Sequence, residues 1–196
     1  NIFLKKANLE KVNFKNTDLR NAKIYSANLK NAKLQGAKLQ GVDFYNSNLQ
    51  NVKFNKDTKI KYTDFRNADL TGSNLDEANI ESLIYNVYTK FDSKIDPSRN
   101  TQKYFYRMGP NTKISNAKLP FLNLNDCNLR ECKLKKVNLQ GSNLSGSDLS
   151  NSTLSEVNLS YSILKSTDFR KATLTSCDLQ YSVFDLPDKI LNIKYL

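Results

Sequence analysis

The sequence predicts an all-β solenoid, and three observations predict it. From Ala22 to Phe44 a large apolar residue returns at every fifth position: Ile24, Leu29, Leu34, Leu39 and Phe44. Two residues before each of these centres stands a small one: Ala22, Ala27, Ala32, Ala37 and Val42. Two residues after a centre stands a turn former. Gly36, Gly41, Gly72, Gly141 and Gly146 all fall there, as do Asn16, Asn21, Asn31, Asn46, Asn51, Asn67 and Asn151.

A period of five suits neither common element. On a helix, residues five apart wander around the circumference, and a long strand alternates by two without interruption. Here the alternation lasts only from the small residue to the centre, so both point to one side of a short extended segment while the polar residue between them points to the other. The chain must then bend. Glycine and asparagine tolerate the positive φ that tight corners demand. A chain that extends, turns and repeats in this way coils, and each coil pairs its backbone with the next.

The first run has centres Leu4, Leu9, Phe14, Leu19, Ile24, Leu29, Leu34, Leu39, Phe44, Leu49 and Phe54. One extra residue enters before Ile60, and the register continues through Phe65, Leu70, Leu75 and Ile80. A second slip separates Tyr85 from Phe91. Both slips end in Thr-Lys-apolar, at Thr58-Lys59-Ile60 and Thr89-Lys90-Phe91. They read as one-residue bulges at a corner, with threonine as the small inward residue. Residues 92–111 break the repeat, with Pro97, Pro110 and the aromatic cluster Tyr104-Phe105-Tyr106. A loop of this length in a compact domain is a candidate binding element, and Tyr104, Phe105, Tyr106 and Arg107 are its candidate contact residues. The second run, 112–184, restarts at Thr112-Lys113-Ile114 and proceeds in steps of five from Ile114 to Phe184. Leu83 and Leu122, large residues at the small position, predict widened coils beside the insertion. The tail 185–196, with Leu186, Ile190, Leu191, Ile193 and Leu196, reads as a cap over the open end. The expected organisation is a single solenoid domain over 1–196, with repeat runs 1–91 and 112–184, an irregular loop 92–111 and a C-terminal cap.

Ala7-Asn8-Leu9, Ala27-Asn28-Leu29, Ala68-Asp69-Leu70 and Ser147-Asp148-Leu149 resemble the A-[D/N]-L-x-x motif of pentapeptide-repeat proteins. The resemblance covers nearly all of the chain. It implies a right-handed quadrilateral β-helix with four repeats per coil. Thr89-Lys90-Phe91 with Asp96-Pro97 is similar to a segment that ends repeat runs in many cyanobacterial members, although Asp92, Lys94 and Ile95 depart from it.

Chemistry is sparse. The chain of 196 residues contains no histidine, the commonest general base and metal ligand, and no phosphate loop, nucleophile elbow or paired-cysteine pattern. Cys127, Cys132 and Cys177 all occupy the small inward slot, which reads as space-filling thiols. Asp18, Asp43, Asp64, Asp69, Asp148, Asp168 and Asp178 precede centres and suggest a calcium array, but Asn and Lys fill many equivalent slots. The expectation is a non-enzymatic protein without catalytic residues, metal sites or cofactors.

Charge points to partners. The formal net charge is +11, and residues 1–66 hold 14 Lys and Arg against 5 Asp and Glu, about +9. With four repeats per coil, residues about twenty apart stack. Lys33 then lies under Lys53 and Lys38 under Lys59, while Lys5, Tyr25, Tyr45 and Arg66 form a second column. These eight residues are the candidate binding face. Cations interleaved with aromatics suit nucleic acid or an acidic protein; ordinary tyrosine ladders on a solvated basic face also account for them. Three functions follow: a non-catalytic scaffold presenting a rigid basic face to a protein, an acidic partner being the natural complement; nucleic-acid or anionic-surface binding through the first run; and, from the resemblance, DNA-mimic protection of gyrase, which wants an acidic surface. Mean hydropathy is −0.59, and no apolar run approaches the ~20 residues of a membrane span. The chain opens without a signal-peptide pattern and is expected to be cytoplasmic, a processed lumenal or periplasmic chain being the alternative.

Overall fold

The computed structural model describes residues 2–97, 104–185 and 194–195. It is all-β, a solenoid whose coils are joined by parallel bridges, with one 3-10 turn at Leu75–Glu77. Two compact units, Asn1–Arg107 and Met108–Leu196, divide the chain.

In the first unit the pairing follows the predicted period. Phe3 pairs with Lys23 and Lys23 with Asp43, while Asn8, Asn13 and Asp18 pair with Asn28, Lys33 and Lys38. These are four successive sides of one coil, each bonded to the residue 20 positions on. The bonds are ordinary ladder bonds: Leu9 N–H donates to Asn28 O at 2.7 Å and Asn28 N–H to Ala7 O at 2.9 Å. Small residues and centres both face inward. Ala22, Ile24, Ala32, Leu34, Ala37 and Leu39 are completely buried, and burial of about 25 cal/mol per Å² of apolar surface is what holds so short a strand in place. At the corners Asn16, Asn21 and Asn31 take φ of 57–60° and Gly36 takes 70°. The same conformation is adopted by Lys11, Glu131 and Tyr161, which the turn-former rule does not anticipate. The coil geometry imposes it on whatever residue holds the slot.

Both slips are built from one cassette. Across the first, Lys38 pairs with Lys59, one residue beyond the regular interval. Asn55 N–H donates to Thr58 Oγ1 at 3.1 Å, and the threonine hydroxyl donates to Leu34 O at 3.0 Å. Asn86 and Thr89 repeat this, with Thr89 Oγ1 donating to Phe65 O at 2.9 Å. The extra residue is thus absorbed by an inward hydroxyl that satisfies the carbonyl one coil below. Strands β1 (Lys59–Ile60) and β2 (Thr63–Asp64) follow the first slip, pairing with β3 (Asn79–Ile80) and β4 (Ser82–Tyr85).

Residues 92–111, expected to form an irregular loop, contain a strand. Tyr104–Arg107 forms strand β5, parallel to β4 with Leu83 opposite Phe105 and Tyr85 opposite Arg107. Phe105 turns inward and stacks on Phe91 with centroids 6.4 Å apart, edge-on to Tyr85 at 6.5 Å. The physical reason is the open edge of β4, whose amides and carbonyls need partners. Leu83 is fully buried beneath this strand.

The second unit restarts with Gly109 N–H donating to Thr112 Oγ1 at 3.0 Å, the same cassette with glycine for asparagine. One side carries β6 (Lys113–Ser115), β7 (Lys133–Lys135), β8 (Thr153–Ser155) and β9 (Thr173–Thr175), stacked in parallel register. Ile114, Leu134, Leu154 and Leu174 point inward from them and are buried. Leu122 is also buried. β10 (Lys194–Tyr195) pairs with β9, Lys194 opposite Thr173. Of the predicted cap, Leu186, Ile190, Leu191, Ile193 and Leu196 lie outside the described residues. No helix among the described residues is long and apolar enough to cross a membrane.

Candidate binding surface

The slot before each centre points outward, and in the first unit it builds two stacks of lysine. Lys33 bridges to Lys53 and Lys38 to Lys59, all four exposed. Neighbouring coils lie about 4.8 Å apart, so like charges face one another directly, a destabilising arrangement. Only part of it is neutralised. Lys38 Nζ lies 3.9 Å from Asp18 Oδ2. Asp18 is itself gripped by Arg20, Nη2 to Oδ2 at 2.6 Å, and this hydrogen bond chiefly pulls its carboxyl down to about 2. Lys33, Lys53 and Lys59 make no ion pair among the described residues.

The second predicted column also assembles, but not as a uniform binding face. Lys5 Nζ sits 5.2 Å from the Tyr25 ring centre, and Arg66 Cζ sits 5.3 Å from that of Tyr45. Arg66 is not the surface cation expected: it is only 3% exposed. Its Nε and Nη2 donate to Asp64 Oδ1 and Oδ2 at 3.0 and 2.7 Å, a bidentate pair inside the protein. The sequence offered Arg66 as a surface cation because it stands after a centre; an aspartate two residues earlier folds the guanidinium back over its own strand. The Asp18–Arg20 and Asp168–Arg170 pairs have the same spacing and bonding.

Reasoning by slot missed the carboxylate pair beneath this column. Asp43 bridges to Asp64, and both are buried. Asp43 Oδ1 accepts from Tyr45 N–H at 3.0 Å, but Oδ2 accepts no hydrogen bond and has Lys23 Nζ at 3.9 Å. Burial, and then the Asp64 charge, raise the Asp43 carboxyl above its ordinary value. The folded protein therefore binds more protons at this site than the unfolded chain does. Stability contributed here is full below the ordinary carboxylate pKa of about 4 and is lost as pH rises through the raised one. Asp43→Asn is expected to be more stable than the parent near neutral pH and to abolish this decline, measured by urea denaturation across a pH series. A parent curve that rises with pH over that window would contradict the assignment.

Other outward slots hydrogen-bond from coil to coil. Asn28 Nδ2 donates to Asn8 Oδ1 at 3.4 Å, and Gln50 Nε2 to Asp69 Oδ2 at 3.0 Å. All three cysteines are free; burial raises the thiols of Cys132 and Cys177, which keeps them protonated. Among the described residues no group of three or more Cys, Asp or Glu side chains is placed to hold a metal ion. Of the loop residues, Tyr104, Phe105, Tyr106 and Arg107 lie in β5, with Tyr106 half-buried and Arg107 exposed. Slot reasoning also passed over an exposed aromatic corner in the second unit.

The repeats match known family models. Residues 4–84 match a model described as a pentapeptide repeat region, and residues 112–151 and 152–185 match one described as pentapeptide repeats of eight copies. The unmatched interval contains the second slip and β5. No curated protein matches the chain. Among solved structures, HetL, a pentapeptide-repeat protein involved in heterocyst differentiation regulation from the cyanobacterium Nostoc sp. strain PCC 7120, is 21% identical, covering 96% of this chain and 90% of its own, with a TM-score of 0.37. QnrB1, a plasmid-mediated fluoroquinolone resistance protein, is 18% identical over 94% of this chain and 92% of its own, with a TM-score of 0.38. A further Nostoc pentapeptide-repeat protein, alr5209, is 27% identical over 53% of this chain and 79% of its own, at a TM-score of 0.31. By its repeats and their register, the chain belongs to the pentapeptide-repeat family.

Proposed function

We propose that the protein is a non-catalytic scaffold that presents a rigid, basic face of its first unit to an acidic protein partner. The observation that carries this reading is the unneutralised lysine stack. Lys33 and Lys53 are exposed and stacked through a backbone bridge, Lys59 is exposed above Lys38 in the neighbouring stack, and Lys33, Lys53 and Lys59 make no ion pair among the described residues. Mutual repulsion of this kind is relieved when an anionic partner docks. Because the backbone under the lysines is already ordered, little conformational entropy is lost on binding.

Nucleic acid is the second reading, favoured by the same excess of positive charge. Against it stands the tyrosine column. Lys5 lies over Tyr25 and Arg66 over Tyr45, so these rings are already engaged by cations and offer bases less open stacking surface. DNA mimicry is the reading with least support, because a net charge of +11 opposes it.

The test is fluorescence-anisotropy titration of polyglutamate, single-stranded DNA and duplex DNA across a salt series. Polyglutamate is expected to bind, and Lys33→Glu/Lys53→Glu/Lys59→Glu to weaken it at least tenfold without loss of fold. Tighter binding of DNA, with a steep logarithmic salt slope, would replace the scaffold reading with the second one. Failure of every probe near physiological salt would overturn both.

A further inference from the structure

We propose that one corner of the second unit is a self-association edge, on which a second copy of this chain packs antiparallel. Its centre is the column Phe121, Gly141, Tyr161 and Tyr181, each one coil beyond the last: Phe121 N–H donates to Gln140 O, Gly141 N–H to Ser160 O and Tyr161 N–H to Gln180 O. The Phe121 ring covers Gly141 so closely that a Cβ there would come within 2.6 Å of it. Tyr161 and Tyr181 stack with centroids 4.9 Å apart and planes 22° from parallel. Beside them Ile163 bridges to Val183. All five large side chains are exposed, by 69% at Phe121, 58% at Tyr161, 72% at Tyr181, 41% at Ile163 and 46% at Val183.

Folding alone does not account for these choices. Ile163 and Val183 occupy the outward slot before a centre, which in the rest of the second run holds Asn, Asp, Lys or Thr. Phe121, Tyr161 and Tyr181 adopt φ of 58–60°, a region that disfavours bulky side chains and that Asn and Gly enter at lower cost. The sequence thus accepts backbone strain to hold aromatic rings in water. A continuous apolar stripe of this kind marks a contact surface.

The charges flanking the stripe select its occupant. In the adjoining outward column, Lys118, Asn138, Asn158 and Asp178 succeed one another through parallel bridges, so the positive end and the negative end are three coils apart. Neither Lys118 nor Asp178 makes an ion pair among the described residues. A two-fold axis lying in the contact plane and perpendicular to the coil stack reverses one column against the other. Lys118 of each copy then meets Asp178 of the other, Phe121 meets Tyr181, and Tyr161 meets the Gly141 level, where the Phe121 ring lies over the glycine. A two-fold axis along the stack would instead carry the Lys118 column to the opposite flank, setting Lys118 against Asn123 and Asp178 against Val183, so the two charges would not pair. The stripe is its own complement only in the antiparallel arrangement. It spans three coil spacings, roughly 15 Å, well below the size of a stable dimer interface of about 800 Å² per partner, so association belongs to the micromolar-to-millimolar range.

The experiment is sedimentation velocity on the full chain over a dilution series, with light scattering for mass. The parent is expected to move from monomer towards dimer as concentration rises. Tyr161→Asn/Tyr181→Asn places a residue suited to positive φ at both corners, so it is expected to melt no lower than the parent yet remain monomeric throughout. Lys118→Asp is expected to weaken the dimer at least tenfold, and adding Asp178→Lys to the same chain to restore it. A parent that stays monomeric at every concentration overturns the proposal and leaves the edge to a different protein. A dimer that survives the double tyrosine change overturns it as well, and a charge exchange that fails to restore association overturns the antiparallel geometry.

Discussion

Arg66→Ala is expected to destabilise the first unit by about 3–5 kcal/mol, the range for breaking a buried ion pair by removing one partner. The Asp64 carboxylate accepts from Nε, Nη2 and the backbone N–H of Arg66, at 3.0, 2.7 and 3.0 Å. Truncation removes the two side-chain donors and leaves a buried anion stacked on Asp43. Arg66→Lys rescues only part of this, since an ammonium supplies a point charge where a bidentate fork is needed. The double variant Arg66→Ala/Asp64→Asn should lose less than Arg66→Ala alone, because no uncompensated charge remains. Urea denaturation of the parent, Arg66→Ala, Asp64→Asn and the double variant measures the coupling. A loss below about 1 kcal/mol for Arg66→Ala would place the pair with ordinary surface salt bridges.

The same residue shows where sequence reading succeeds and where it stops. Periodicity located Arg66 in a column with Tyr45 and Tyr25, because an inward slot every five residues leaves little choice of register. It also located both slips, since Thr58 and Thr89 alone restore an inward small residue after the extra position. What it did not reveal was direction beyond the first bond. Whether a long cation extends into water or folds onto an aspartate two residues earlier depends on side-chain partners, and the repeat does not encode these. β5 was hidden for a related reason. Tyr104–Arg107 carries no five-residue period, and its place is set by the unpaired edge of β4, a long-range requirement. The aromatic corner was legible in principle: every twentieth residue from Phe121 at the turn slot reads Phe, Gly, Tyr, Tyr. It was passed over because that slot is ordinarily examined for glycine and asparagine alone.

Phe65→Ala is expected to cost about 3–5 kcal/mol, as for other buried phenylalanines truncated to alanine. Phe44 and Phe65 are both fully buried and stack with centroids 5.5 Å apart and planes 12° from parallel. The column they occupy runs Ile24, Phe44, Phe65, so the first unit is filled along this side by one residue per coil. A coil so thin has few other side chains to collapse into the void, which places the cost in the upper part of the range. The loss should also spread. Each coil of a solenoid is stabilised by the interfaces above and below it, so a cavity at Phe65 weakens pairing with the Phe44 coil and with β4 together. Phe44→Ala/Phe65→Ala should therefore lose less than the sum of the single changes, because the two share one contact. Hydrogen exchange provides the readout: amides of Phe44 and Asp64, bonded to Asp64 O and Val42 O, should lose protection in Phe65→Ala while those of the second unit keep theirs. Equal loss of protection in both units would mean that the chain unfolds as one cooperative body and that the damage is not carried from coil to coil.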